Sequence, residues 1–352
     1  SQNWAQWLMS DFAIWMAGHV SVPLYPTLTA ESVSQILEHS EAKACFVGKL
    51  DDWPQMKPGV PESMTCVSYP LSPPNDYPTW ETLIREHEPL QDIPERGADD
   101  LATIIYTSGT TGMPKGVMHS FGGFAWAIKA GNERFGMTAE DRVLSYLPLS
   151  HIAERIAVEA GVLQVGMRVY FAESLDTFLQ DLQRARPTFF FSVPRLWVKF
   201  QQGVNAKMPQ KKLDRLLKIP ILSGVVKSKI LAGLGLDQVK FAGGGAAPMP
   251  PSLIDWYKRL GLEIIEVYGM TENCAISHSN IPGKTRSGYV GYPYTGVEAR
   301  LSDDGEVQTR SPATMKGYFK EPEKTRETMT EDGWLRTGDR GEVDAEGRLR
   351  IT

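Results

Sequence analysis

Short apolar runs separated by amphipathic stretches set the rhythm of most of this chain. Ala44–Val47, Ala102–Tyr106, Arg168–Phe171, Thr188–Phe191 and Glu263–Val267 are brief β-rich segments with helix-like sequence between them. Parallel strands need a crossover between one and the next, so this alternation predicts an α/β fold with mainly parallel sheets. From about Tyr289 the rhythm changes to short strands punctuated by glycine, as in Gly305-Glu-Val-Gln-Thr and Gly341-Glu-Val-Asp. That pattern predicts a small barrel or an antiparallel sheet. Residues 50–100 hold Trp53-Pro-Gln-Met-Lys-Pro58 and Leu71-Ser-Pro-Pro-Asn-Asp-Tyr-Pro78. Proline at that density breaks helices and strand ladders, which predicts connecting excursions.

A length of 352 residues exceeds what one core usually supports, so two or three subdomains are expected. An apolar content of 42% with 22% charged residues is ordinary for a globular protein. The net charge of −5 gives no reason to invoke nucleic acid. Cys45, Cys66 and Cys274 are odd in number and far apart, which fits a reducing cytoplasm and no metal cluster. No apolar run reaches membrane-spanning length, and Ser1-Gln-Asn-Trp does not read as a secretion signal. One segment departs from the acidic average: residues 207–229 carry seven cations against the single acid Asp214, interleaved with leucine and isoleucine. This is either a solvated helical face or a surface for anionic lipid, and the second reading predicts peripheral contact with the inner membrane surface.

The most chemically loaded stretch is Tyr106-Thr107-Ser108-Gly109-Thr110-Thr111-Gly112-Met113-Pro114-Lys115. Glycines let the main chain curl so that successive N–H groups converge on an anion, hydroxyls donate to phosphate oxygens, and Lys115 adds positive charge. Its spacing is not the Walker pattern, because Lys115 follows Gly112 by three. A second turn, Lys240-Phe-Ala-Gly-Gly-Gly-Ala-Ala-Pro248, can bring backbone close to a flat ligand or serve packing alone. Glu266-Val-Tyr-Gly-Met-Thr-Glu272 offers an aromatic face in Tyr268, a hydroxyl in Thr271 and a hard oxygen ligand in Glu272. In Arg336-Thr-Gly-Asp339, the Asp339 carboxylate suits a ribose diol.

Together and in this order, these strings resemble the motifs of the adenylate-forming superfamily, which includes acyl-CoA synthetases, aryl-CoA ligases, luciferases and peptide-synthetase adenylation domains. Phe189-Phe-Phe-Ser-Val-Pro-Arg-Leu-Trp197, Tyr289-Val-Gly-Tyr-Pro293 and Ser311-Pro-Ala-Thr-Met-Lys-Gly-Tyr318 are similar to the long-chain fatty acyl-CoA synthetase branch. The resemblance implies two mainly parallel β-sheets flanked by helices, residues 1–288, followed by a β-rich subdomain with a small distorted barrel, residues 289–352. It also implies a hinge and a mobile C-terminal domain that this chain does not contain.

The activity so implied is conversion of a fatty acid to acyl-AMP by ATP, followed by transfer to CoA, with Mg²⁺ as metal. Thr107, Ser108, Gly109, Thr110, Thr111, Gly112 and Lys115 correspond to phosphate-binding positions, with Thr271 at the α-phosphate and Glu272 on Mg²⁺. Gly244, Gly245, Ala246, Tyr268 and Gly269 correspond to the adenine pocket, with Gly269 also beside the substrate, and Asp339 to the ribose. His151 falls near the reacting carboxylate, and Trp197 at a position that gates the fatty-acid tunnel in some relatives. A lone histidine and a tryptophan after an apolar strand also serve packing alone. Transfer to a carrier protein, or binding of acyl and nucleotide without catalysis, are alternatives that the residues leave open.

Overall fold

The computed structural model describes residues 1–107 and 113–352. Strand β1 (Ala44–Val47) pairs in parallel with β2 (Thr65–Ser68), which arises within the proline-rich stretch expected to be excursions. Pro54 and Pro58 sit in the first turns of the short helices Trp53–Met56 and Lys57–Gly59, where no N–H is needed, and Pro73, Pro74 and Pro78 lie between elements. β3 (Leu101–Thr107) and β4 (Lys115–Ser120) form an antiparallel pair, with Thr107 opposite Lys115.

A large sheet supplies the framework. Its strands are β5 (Arg142–Ser145), β6 (Arg168–Phe171), β7 (Phe189–Ser192), β8 (Phe241–Gly244), β9 (Ile264–Tyr268), β10 (His278–Ser279) and β11 (Tyr292–Pro293). The spatial order is β11-β10-β9-β8-β7-β5-β6, parallel from β6 to β9 and antiparallel beyond. β6 lies outside β5 while β7 lies inside it, so the chain switches direction across the sheet between β5 and β7. Open parallel sheets bind ligands beyond the carboxyl ends of their strands, at such a switch.

Side chains alternate across the sheet as the pleat requires. Phe190, Ala242 and Ile264 face one core, against helices Pro194–Lys207 and Pro251–Arg259. Phe189, Phe241 and Ile265 face another core shared with Met137, Val158 and Met167. The helix Phe121–Phe135 and a helical run from Ile152 to Val165, wound as a π-helix over Arg155–Ala160, border that side. Both faces are covered, which is why the parallel strands read as nearly unbroken apolar runs.

β12 (Glu298–Leu301), β13 (Glu306–Arg310), β15 (Leu335–Val343) and β16 (Leu349–Ile351) form the antiparallel sheet that the glycine-punctuated sequence predicts. Between them, β14 (Gly317–Tyr318) pairs antiparallel with β4. The division expected after residue 288 is crossed by this pairing. It falls inside the β10–β11 hairpin, and both β11 and β14 complete sheets of the preceding part because hairpin partners seek the nearest open strand edge.

Candidate active site

The motifs recognised in sequence collect at one end of the large sheet. Gly244, Gly245 and Ala246 leave the carboxyl end of β8, Tyr268 to Glu272 leave β9, and His151 lies six residues beyond β5. Register aligns them: Gly244 pairs with Glu266, two residues before Tyr268. Gly245 cannot carry a side chain, since a Cβ there would meet the Val267 backbone oxygen at 2.8 Å. Ala246 adopts φ +63°, a left-handed conformation that costs a non-glycine residue energy and concentrates at functional turns. At Gly269 a Cβ would stand 2.4 Å from the Ala275 backbone carbon, so glycine alone lets the two segments touch.

The Tyr268 hydroxyl donates to Asp339 Oδ2 at 2.8 Å across 71 residues of sequence. The turn that carries Asp339 is built by glycine as well: Gly338 adopts φ +75° within β15, where the register against β13 shifts. Thr337 Oγ1 donates to the Val307 carbonyl at 2.7 Å, and Gly338 N–H to Glu306 Oε1 at 3.0 Å. Asp339 is left exposed at the rim beside the tyrosine ring.

Glu272 is buried, and its Oε1 accepts from the Tyr318 hydroxyl at 2.7 Å. The Lys115 ammonium sits 5.1 Å from the centre of the Tyr318 ring. Tyr318 therefore links the lysine after the phosphate-loop motif to the glutamate after β9. Its place in sequence carries no sign of this, because the link depends on β14 pairing with β4. His119 supports the same turn. Burial lowers its pKa to about 4, so the ring is neutral. Nε2 must then donate to the Thr271 carbonyl, at 2.7 Å, leaving Nδ1 to accept from the Cys274 thiol at 3.3 Å. Ser108 to Gly112 lie outside the described residues, and Thr107 and Lys115 mark the two ends of that stretch on paired strands.

His151 caps a helical turn through Nδ1, which accepts from Ala153 N–H at 3.2 Å, and burial lowers its pKa. The loop before it is held by Glu154, whose Oε1 accepts from Ser145 Oγ at 2.8 Å and Tyr146 N–H at 3.0 Å. Beyond this helix, Arg155 is fully buried, donating to Glu159, to Thr103 of β3 and to Asp11. This cluster ties the π-helix to the strand that leads into the phosphate-loop motif.

An apolar cavity of about 80 Å³ opens between the sheet and the two helical segments, lined by Phe135, Phe189, Phe191, Phe241, Val267 and Ala275 among others. Ala275 is also the residue against Gly269, so the cavity reaches the nucleotide end of β9. Ile128 borders it and also borders a second apolar cavity of about 440 Å³, lined by Phe121, Phe124 and Leu163. Phe121, Phe124, Ile128, Gly131 and Phe135 recur every three or four residues, so one face of a single helix lines both spaces. Trp197 is not part of them. It is fully buried on the opposite side of the sheet, against Phe190, Phe200 and Tyr257, and donates to the Gly243 carbonyl at 3.2 Å. A helix starting directly after β7 returns its first turn to that face, so the tryptophan expected at the tunnel gate packs on the far side of the sheet from these cavities.

Among the described residues no cluster of three or more His, Cys, Asp or Glu side chains could hold a metal. A single carboxylate such as Glu272 does fit Mg²⁺, which is commonly held by one or two carboxylates together with substrate phosphates.

Comparison with known proteins agrees with this arrangement. Residues 1–319 match the family described as AMP-binding enzyme. A peroxisomal long chain acyl-CoA synthetase 7 of Arabidopsis thaliana is 32% identical over 99% of this chain and 56% of its own length. A putative fatty-acid–CoA ligase of Mycobacterium tuberculosis, fadD11, is 33% identical over 72% of this chain and 49% of its own. The chain thus spans about half the length of these curated relatives. In fold it matches the anthranilate CoA ligase AuaEII in complex with anthranoyl-AMP, with a TM-score of 0.82 at 23% identity, covering 100% of this chain and 66% of that one. It also matches the N-terminal domain of FACL13 from Mycobacterium tuberculosis, with a TM-score of 0.79 at 24% identity over 100% and 84%. With its motifs gathered at one sheet end and the family match running through nine-tenths of its length, the chain belongs to the AMP-binding enzymes.

Proposed function

We propose that this chain is the nucleotide- and acyl-binding part of an AMP-forming fatty acyl-CoA synthetase of the long-chain type. The observation that carries the reading is the junction of the Tyr268–Asp339 pair and the Glu272–Tyr318–Lys115 group with an aromatic, apolar cavity at the carboxyl end of one sheet. Tyr268 and the Gly244 to Ala246 turn seat adenine, and Asp339 accepts from the ribose hydroxyls. Thr107 to Lys115 hold the terminal phosphates, while Thr271 faces the α-phosphate. Glu272 would hold Mg²⁺, which supplies neutralisation of phosphate charge when bound.

In the first half-reaction a fatty carboxylate oxygen attacks the α-phosphorus and the bond to pyrophosphate breaks, giving acyl-AMP. Positioning and charge neutralisation carry most of such a step, since the protein forms no covalent bond. A neutral His151, with Nδ1 occupied by its helix cap, leaves Nε2–H to donate to the carboxylate. In the second half-reaction the CoA thiolate attacks the acyl carbon and AMP leaves with the electron pair of the anhydride bond. The cavities along the helix Phe121–Phe135 receive the alkyl chain. That helix is roughly 20 Å long at 1.5 Å per residue, somewhat more than the ~15 Å that each layer of lipid tails contributes to a bilayer core.

Calorimetric binding of non-hydrolysable acyl-adenylate analogues from C4 to C18 tests this directly. Affinity is expected to rise with chain length and to weaken in Asp339→Ala. Length-independent binding would remove the acyl assignment, and no binding would remove the nucleotide assignment. In the full-length enzyme, acyl transfer to CoA against transfer to a carrier protein identifies the acceptor.

A further inference from the structure

Cys45 and Cys66, far apart in sequence, meet in the two-stranded sheet, outside the site above. Cys45 of β1 and Cys66 of β2 are partners in the parallel register. Residues in register point to the same face, and the two thiols hydrogen-bond to each other. Neighbouring strands lie ~4.8 Å apart, within the ~4.4–6.8 Å between Cα atoms that a disulfide bridges. A sheet of two strands has no further ladder to resist the small approach that the sulfurs need. The pair also stands where core meets open space. Cys66 is buried and Cys45 half-buried, packed with Val33, Leu37, Trp53 and Met56. Cys45 lines a cavity of about 420 Å³, bordered by Val22, Leu24, Ser40 and Phe46 among others. That is far more than the ~10–15 Å³ that one water molecule requires, so a small polar solute fits beside the thiol.

Contact between the thiols changes their chemistry. The hydrogen bond from Cys45, with another from the Tyr77 hydroxyl, lowers the Cys66 pKa to about 7 against the opposing effect of burial. The same bond, together with burial, pushes Cys45 the other way. The pair therefore gives up one proton readily and holds the second between its sulfurs, which supplies a nucleophilic thiolate. Cys274 is the contrast within the same chain. It is fully buried, its thiol donates to His119, and burial raises its pKa.

We infer that Cys45 and Cys66 form a dithiol site that hydrogen peroxide, entering by the cavity, converts to an intramolecular disulfide. A thiolate sulfur attacks one peroxide oxygen, the O–O bond breaks, and the other oxygen leaves as hydroxide and takes up a proton. The sulfenic acid so formed is attacked by the second sulfur, whose proton leaves with the sulfenic oxygen as water. Two thiols and one peroxide thus give one disulfide and two water molecules, with the sulfurs oxidised and the peroxide oxygens reduced. The bond would tie β1 to β2 beneath the helix Ala30–Ser40, whose Val33 and Leu37 pack on the pair. His39 of that helix meets the Tyr106 hydroxyl at 2.7 Å, next to the phosphate-loop motif. Neither cysteine belongs to the nucleotide or acyl site, so the inference stands or falls independently of the proposed reaction.

Peptide mapping by mass spectrometry tests this on the reduced chain, treated with hydrogen peroxide, quenched with catalase and alkylated in denaturant. A Cys45–Cys66 link lighter by two hydrogen atoms is expected, and dithiothreitol should reverse it. Cys274 should react at least about 10-fold more slowly, which also reports that the chain stays folded during treatment. In Cys45→Ser the link should vanish and Cys66 should gain oxygen instead, since no second sulfur resolves the sulfenic acid. Both cysteines left free to alkylate, oxygen added to wild-type Cys66 without a link, or links formed only between chains would each overturn the inference. So would oxidation of Cys274 as fast as the pair, because the reaction would then belong to unfolded chain.

Discussion

Glu154→Gln isolates the energetic consequence of burying an acid beneath the candidate acyl site. Glu154 is 4% exposed and its carboxyl accepts from Ser145, Tyr146 and Asn3, yet it has no ion-pair partner among the described residues. Burial pushes its pKa from 4.5 up to about 8, the hydrogen bonds from Ser145, Tyr146 and Leu147 only partly opposing the shift. A proton is therefore held more tightly in the folded chain than in the unfolded one. The resulting stabilisation is complete below pH 4.5 and is lost as pH rises towards about 8. At ~1.4 kcal/mol per pH unit, the interval from about pH 5 to about pH 7.5 removes on the order of 3 kcal/mol. Glutamine keeps the volume and the accepting oxygen but cannot ionise. Urea unfolding of both proteins across this interval should give similar stabilities at the acid end and a variant about 3 kcal/mol more stable at the other. Glu266, whose pKa burial raises to about 7, adds its own slope, but equally to both proteins. Parallel stability profiles would refute the argument, because they would mean that Glu154 ionises as freely in the fold as out of it.

Tyr318→Phe should weaken ATP binding about 10-fold in calorimetry with little change in melting temperature, since it frees Glu272 from the hydroxyl at 2.7 Å while keeping the ring beside Lys115. Gly269→Ala is expected to destabilise the chain by about 1–3 kcal/mol and to lower adenylate affinity, because the new methyl group overlaps backbone rather than a movable side chain. Arg155→Met leaves the Asp11 and Glu159 carboxylates buried without their cation, and chemical denaturation should show a loss of about 3–5 kcal/mol. Asp11→Asn should cost less than Arg155→Met, since Glu159 retains the arginine.

The hydrophobic pattern alone determined much of the architecture. Apolar runs at Ala44–Val47 and Arg168–Phe171 become strands with those bounds, because valine and aromatic side chains suit a half-buried pleated surface. Local chemistry likewise marked the nucleotide turns: a glycine whose Cβ would strike backbone, as at 245 and 269, is a constraint written at one position. What only the tertiary structure decided are relations between distant positions. The bond from Tyr268 to Asp339 and the group joining Lys115, Tyr318 and Glu272 depend on strand order and register, which no local residue pattern encodes. The same holds for Trp197, whose side of the sheet is set by the parity of β7 and the turn into the next helix. Composition also marked the segment 207–229 as basic and apolar, but only folding turned Leu213 and Leu217 inward and left Ile219, Ile221 and Leu222 outward, by giving its helices one core to lean on.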